Sequence, residues 1–387
     1  MNPTTSSATS PSRAGLTRRG FLAALALAGL AVPMGARAAE SSSGKDASAK
    51  AGASAAKDAK AASASADDGM SDFVRDELAK VEKQMDEQLG VEPQAGKGER
   101  VGVLISSTAN EFWATMKTCY EQAAAELGIE VQVFEAPSET DAQGQLDALN
   151  TMVGMGFDAL IVSPINGTNL VPGIVAANEA GIPVINLGPG VDATALEDAG
   201  GHLDGKITVS FEDQGRTAAK DLVSRIPDGG EVAIIAGLAG AAQSEGRAAG
   251  AQEVFEATEG VELVANQACD WDTTKAYEAT KDILTAHPDL KGIVAGNDNM
   301  ALAAVNALQE MGKTDVLVYG VDFTSAAREA MEAGTMTGSL TYSSAVYTKA
   351  AEKMAMILAQ GGTFTEPIYN SLTLVTKDNV ADFKGWK

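Results

Sequence analysis

Arg100-Val101-Gly102-Val103-Leu104-Ile105, then the helix-like stretch Trp113–Leu127, then Val131-Gln132-Val133-Phe134: this succession decides the fold. The apolar runs are too short and too β-branched for helices, and unbroken apolarity marks strands buried on both faces. The unit recurs along the chain. Further runs are Ala159–Val162, Pro183–Leu187, Ile207–Phe211, Val232–Ile235, Val261–Val264, Gly292–Ala295 and Val316–Val321. Helical stretches separate them at Ala142–Met155, Asn169–Ala180, Gly215–Arg225, Gln252–Thr258, Thr274–Ala286 and Met300–Met311. Strands alternating with helices imply α/β architecture with parallel sheets covered by helices. Nine such runs exceed one ordinary open sheet. The expectation is therefore two doubly wound lobes, the second beginning near Phe211.

Right-handed crossovers put the carboxyl ends of each sheet's strands on one edge, where open α/β sheets bind ligands. The residues following the strands form the candidate pool: Ser106 to Trp113, Ser163 to Asn166, Gly188-Pro189-Gly190, Glu212-Asp213, Gly237 to Arg247, Asp270-Trp271-Asp272, Gly296-Asn297-Asp298 and Gly320 to Phe323. Polar groups and aromatics gather there, while the strands carry almost none.

Residues 1–38 have the order of a twin-arginine export signal. Arg18-Arg19 precede an apolar run from Phe21 to about Met34, shorter than the ~20 residues of a spanning helix. Ala36-Arg37-Ala38 is a small-x-small cleavage site. The chain is thus expected in the periplasm or at the extracellular surface. No cysteine lies near that site, so a lipid anchor is not supported. Residues 39–69 are almost entirely Ala, Ser, Lys, Asp and Gly and read as a disordered tether. In 70–99, Val74, Leu78, Val81, Met85 and Leu89 form one helical stripe, expected to dock on the main body rather than to self-associate as a stalk.

The bulk numbers exclude several classes. The chain of 387 residues carries 29 Lys+Arg against 52 Asp+Glu, a net charge of −23, and its leader holds arginines but no acid. Phosphate backbones and anionic lipid repel such a surface. Two histidines, His202 and His287, and two cysteines, Cys119 and Cys269, argue against a metal site, and no cofactor is expected. The cysteines fall on separate halves and are expected as buried thiols rather than a bridge. No GxGxxG follows a strand, the Gly237-Leu238-Ala239-Gly240 loop lacks a P-loop lysine, and two histidines leave no credible Ser-His-Asp or Cys-His set. An exported enzyme is the first rival class and is disfavoured on these grounds.

Four segments carry a resemblance over about Val101 to Lys377. They are Asn110-Glu111-Phe112-Trp113; Ala239-Gly240 through Glu245-Gly246-Arg247; Leu284-Thr285-Ala286-His287-Pro288 leading to Gly296-Asn297-Asp298-Asn299-Met300-Ala301-Leu302; and Val318-Tyr319-Gly320-Val321-Asp322. The chain resembles the periplasmic sugar-binding proteins of ABC importers, of the ribose-binding type, with the type I periplasmic binding protein fold. The resemblance implies a clamp of two lobes joined by a three-segment hinge: an N-terminal lobe of 100–210 plus 343–371 and a C-terminal lobe of 211–342 plus 372–387. It also implies a small-molecule ligand, a monosaccharide or related polar solute, held between the lobes, delivery to an ABC permease, and a monomer. Docking on a chemoreceptor or kinase is the rival partner. Polyols, furanone-type signals and nucleosides are rival ligands.

A sugar offers apolar faces and a rim of hydroxyls. Trp113 and Trp271, from opposite lobes, are expected to sandwich the faces, with Phe112 as a further wall; core packing is the competing role for each indole. Arg247 offers a fork of donors, and Asn297 and Asp322 an amide and an ionised acceptor. Asn110 answers equally to a ligand hydrogen bond and a helix N-cap. Asp298 is expected to cap the helix starting near Met300. Lys275 and Asp213 read as surface or hinge residues. Gly188-Pro189 stands where the ribose-binding pattern has an acid and an arginine, Tyr342 where it has glutamine, and Glu111 where proline is common. These departures point away from ribose, toward a ligand that is larger, less hydroxylated or partly apolar. Glu111 is a candidate for the lost carboxylate.

Overall fold

The computed structural model describes residues 69–386. The expected leader, 1–38, and residues 39–68 of the expected tether lie outside the described residues. Beyond them come β1 (Arg100–Ile105), β2 (Glu130–Glu135), β3 (Ala159–Val162), β4 (Val184–Leu187) and β5 (Gly205–Thr208). With a late strand, β11 (Ile368–Tyr369), they form one sheet in the order β11-β5-β4-β3-β1-β2. All its pairings are parallel, with Val101 opposite Val131 on one side and Ala159 on the other. A second sheet holds β6 (Gly230–Ala236), β7 (Val261–Ala268), β8 (Gly292–Ala295), β9 (Leu317–Val321), β10 (Gly338–Thr341) and β12 (Thr373–Thr376) in the order β12-β10-β9-β8-β6-β7. Only β12 runs antiparallel. The two α/β lobes expected from the strand count are present.

Helices cover both faces of each sheet. On the first sheet α2 (Glu111–Leu127) and α11 (Ser344–Ala359) pack together on one side, α3 (Ala142–Val153) and α4 (Val171–Glu179) on the other. On the second, α6 (Phe211–Ser224) pairs with α7 (Ala242–Ala257), and α8 (Thr273–Ala286) with α9 (Asp298–Glu310). Short α5 (Ala193–Asp198) and α10 (Ser325–Glu332) complete the layers. Val103, Leu104 and Ile105 of β1 are fully buried, each stabilising the fold by ~1.5–3 kcal/mol. The chain passes between the lobes after Thr208, after Thr341 and after Tyr369.

Several boundaries differ from the sequence expectation. Phe211 does not end a strand: Ser210 caps α6, its side chain accepting from the Asp213 N–H, so the strand stops at Thr208. The helix expected at Gln252–Thr258 begins ten residues earlier, at Ala242. Its first turns are Ala-, Ser- and Gly-rich because α6 presses close against them. A Cβ on Gly215 would lie 1.9 Å from the Arg247 carbonyl oxygen.

The stripe of the N-terminal helix, α1 (Asp72–Leu89), is buried against the body at Val74, Val81, Met85 and Leu89. Cys119 and Cys269 are both buried, in different lobes, with no disulfide between them. Among the described residues no helix is long and apolar enough to cross a membrane.

Candidate functional site

A cavity lies between the carboxyl edges of the two sheets, the place where open α/β sheets bind ligands. All ten residues singled out from the sequence line it: Asn110, Phe112, Trp113, Gly188 and Pro189 from the first lobe, Arg247, Trp271, Asn297 and Asp322 from the second, and Tyr342 from the second crossing. Ser163 and Gln243, from the pool of strand-end residues, also line it, as do Glu139, Phe211 and Tyr347, which were not anticipated.

The first-lobe wall is aromatic. Trp113 sits on the first turn of α2, mostly buried, with its ring edge-on to Phe112 at 5.0 Å. Phe112 meets Tyr342 at 5.9 Å, and Tyr342 meets Tyr347 at 5.0 Å. Trp113 belongs to the lobe core and also lines the cavity. Asn110 is the helix N-cap and lines the cavity too. Its Oδ1 caps α2 by accepting from the Phe112 N–H at 3.0 Å, while its Nδ2 donates to Glu139. Trp113 Nε1 donates to the same carboxylate at 3.2 Å. Burial raises the pKa of Glu139, and these two donors hold it back.

The second-lobe wall holds Trp271 and the polar set. The loop after β7 turns back sharply, with Asp270 and Trp271 both left-handed at φ 54° and 63°. Asp270 N–H donates to the Gly237 carbonyl. The indole then lies flat on Gly237, where a Cβ would sit 2.1 Å from ring carbons Cη2 and Cζ3. Only glycine permits that approach.

Arg247, buried in α7, donates through Nε to Gln214 Oε1 and through Nη1 to the Gly296 carbonyl, both at 2.7 Å, and lies over the Phe211 ring. Burial lowers its pKa, and the charge of Asp322 opposes that. Asp322 follows β9 with φ 112°, a conformation rare outside glycine, and is half-buried at the cavity. Burial pushes its carboxyl well up while Arg247 pulls it down; Asp298 and Glu139 reinforce the rise. Gln243 Oε1 and Gln214 Nε2 are buried with no hydrogen-bond partner among the described residues. The cavity therefore combines edge-on aromatic rings with a polar atom, Gln243 Oε1, whose bonding capacity is unfilled among the described residues, a combination suited to a ligand with apolar faces and a polar rim.

Two expectations need correction. Asn297, not Asp298, caps α9, its Oδ1 accepting from the Met300 N–H at 3.0 Å. Asp298 points inward and accepts from Thr324 N–H and Ser339 Oγ, both at 2.7 Å, pinning the loop that carries Asp322. Burial raises its pKa to about 7. Glu111 does not replace the missing carboxylate; it lies outside this cavity and accepts from the Ser325 N–H of the other lobe. Glu139 is the first-lobe carboxylate that lines the cavity. The Gly188-Pro189 corner is apolar in its side chains. Its carbonyls are already engaged, Gly188 O with Thr208 Oγ1 and Pro189 O with Asn186 Nδ2. Lys275 and Asp213 are surface residues, paired with Asp270 and Arg216. Among the described residues no cluster of three or more His, Cys, Asp or Glu is arranged to hold a metal ion.

The periplasmic binding protein domain model matches residues 101–363. The D-allose-binding periplasmic protein of Escherichia coli K12 is 36% identical over 240 residues, covering 62% of this chain and 77% of its own. The xylitol-binding protein of Mycolicibacterium smegmatis is 26% identical over 245 residues, 63% of this chain and 68% of its own. Among solved structures, the ABC transporter solute-binding protein of Actinobacillus succinogenes 130z with bound D-allose superposes with a TM-score of 0.70 at 29% identity, covering 74% of this chain and 100% of its own.

Proposed function

Because the chain belongs to the periplasmic binding protein domain family, we propose that it is an exported solute-binding protein. In this role it captures a small neutral sugar or polyol between its lobes and delivers it to an ABC import permease, acting as a monomer without catalysing a reaction. The observation that carries this reading is the pairing of Trp113 and Trp271, from opposite lobes, in a cavity that also holds Arg247, Asn297 and Asp322. The indoles suit the two faces of a sugar ring. The fork, amide and carboxylate suit its hydroxyls, with charge-assisted bonds roughly twice as strong as neutral ones. Relatives named for D-allose and xylitol support the same ligand class. The leader of 1–38, with Arg18-Arg19 and Ala36-Arg37-Ala38, supports export.

Binding works through closure. A solute touching both walls favours the closed state by its differential affinity for that state, and the closed lobes present one surface to the permease. A thermal-shift screen of the intact protein against aldoses, polyols, nucleosides and furanones tests the reading. A cognate solute at a hundredfold excess over its Kd adds ~2.7 kcal/mol of stability. A panel in which no neutral sugar or polyol raises Tm removes the proposal.

A further inference from the structure

Glu139 is unlike the other charged groups of the cavity. It stands on the loop after β2, and Asn110 Nδ2 lies 3.2 Å from its Oε1 and 3.3 Å from its Oε2. Trp113 Nε1 is its other donor. Both donors are neutral. Among the described residues, Arg247 is the one cation that lines the cavity, and the carboxylate whose charge acts on it most is Asp322. A carboxylate accepts about four hydrogen bonds, so Glu139 keeps acceptor capacity at the cavity that no cation among the described residues fills.

Resting on the solute-binding reading above, we infer that Glu139 is the specificity-determining residue of the first-lobe wall. It accepts hydrogen bonds from ligand hydroxyls or an amino group at the side opposite Arg247, and it excludes carboxylated and phosphorylated sugars. It thereby stands in for the acid missing at Gly188-Pro189. The probe is the neutral sugar giving the largest thermal shift, titrated calorimetrically with its set of monodeoxy analogues against wild type and Glu139→Gln. The amide variant should bind the parent sugar at least about tenfold more weakly, ~1.4 kcal/mol. One monodeoxy analogue should bind both proteins equally, because the deleted hydroxyl is the one Glu139 accepts. Equal losses for the parent and every analogue assign Glu139 to mere support of Trp113 and overturn the inference. So does a Glu139→Gln protein that binds the parent normally. A wild type that binds no sugar overturns the functional reading and this inference with it.

A second inference rests on different residues. Helix α1 precedes the matched family region and is held by both lobes. At its start, Val74 is buried in the second-lobe core, the Phe73 ring meets Phe383 at 5.1 Å, and Ser71 N–H donates to the Lys384 carbonyl at 3.0 Å. At its end, Val81, Met85 and Leu89 join the first-lobe core. There Gln88 pairs twice with the Tyr369 backbone at 2.9 Å, and Asp86 pairs with Lys353 at 2.7 Å. Between the anchors, Gln84 bonds Ser371 on the third crossing.

Opening the lobes about the crossings changes the distance between the two anchors, and a continuous helix spans it without a flexible joint. We propose that α1 is a strut across the hinge that stabilises the closed arrangement and raises ligand affinity. Val74→Asp in the full chain releases the second-lobe anchor, and Phe73→Ala weakens it more gently should the first variant not fold. Neither residue touches the cavity. The expected result is a Kd for the same sugar raised about tenfold (Val74→Asp) or threefold (Phe73→Ala), with faster amide exchange in residues 71–78 of the ligand-free protein. An unchanged Kd in the folded variants overturns the strut.

Discussion

Gly237→Ala separates the site from the fold. The added methyl carbon would start 2.1 Å from two carbons of the Trp271 ring and 2.4 Å from a third. Carbon atoms rest at ~3.5–4.0 Å, so the ring must retreat by about 1.4 Å or more. The backbone beneath cannot yield, since Gly237 accepts from the Asp270 N–H and the Ala236 carbonyl from Cys269 N–H. The indole itself must therefore swing into the cavity or out to solvent. Overpacking of this kind costs ~1–3 kcal/mol, and the half-buried indole absorbs part of it by moving. Ligand contact with Trp271 is lost in either case. The expected outcome is a fall in Tm of a few degrees and a Kd raised at least tenfold, ~1.4 kcal/mol, measured by calorimetric titration with the best sugar from the screen. A variant with normal affinity refutes the reasoning, because it would mean that Trp271 need not lie on Gly237 to hold the ligand.

Other substitutions probe separate parts of the account. Trp271→Ala should weaken sugar binding by at least ~1 kcal/mol in titration while leaving the lobe cores intact. Arg247→Ala should abolish tight binding, since it removes the cavity's cation and strands Gln214 Oε1 and the Gly296 carbonyl; a normal titration curve contradicts the mapped site. Glu352, fully buried in α11 with neither carboxylate oxygen hydrogen-bonded among the described residues, has a pKa raised to about 9 by burial and the nearby Glu126. Its folded pKa exceeds its unfolded value, so the protein should lose stability as pH rises from about 4.5 toward 9. Glu352→Leu should flatten that slope and gain about 3 kcal/mol at pH 7, at ~1.36 kcal/mol per unit. Equal Tm gains at pH 5 and pH 8.5 would count against it.

The sheets were legible because their strands are continuous apolar runs, a signal that survives without knowing what packs on them. The missed elements lack it. α7 opens with small residues that fit against α6, so no apolar period marks its first turns. α11 is buried on nearly every face, even at Glu352 and Lys353, so its polar residues mark no solvent side. β11 is two residues long and is held by its neighbour β5. In the site, the ten named residues lie where strand ends converge, a place that topology dictates. Glu139 escaped notice because Pro137-Ser138-Glu139-Thr140 reads as a turn, and only the fold brings it to Trp113. Asn297 took the cap expected of Asp298 because either side chain can cap a helix, and only the buried partners Thr324 and Ser339 of Asp298 distinguish them. The left-handed backbones that aim Trp271 and Asp322 have no sequence signature, since neither residue is glycine.

The central claim is that both lobes grip one solute, and amide hydrogen exchange on the intact protein, with and without the best neutral sugar, tests it most directly. Peptides covering Asn110–Trp113 and Cys269–Asp272 should slow together at a saturating sugar concentration, with the crossing at Tyr342 slowing as the lobes close. Protection confined to one lobe, or none despite measured binding, would contradict a clamp.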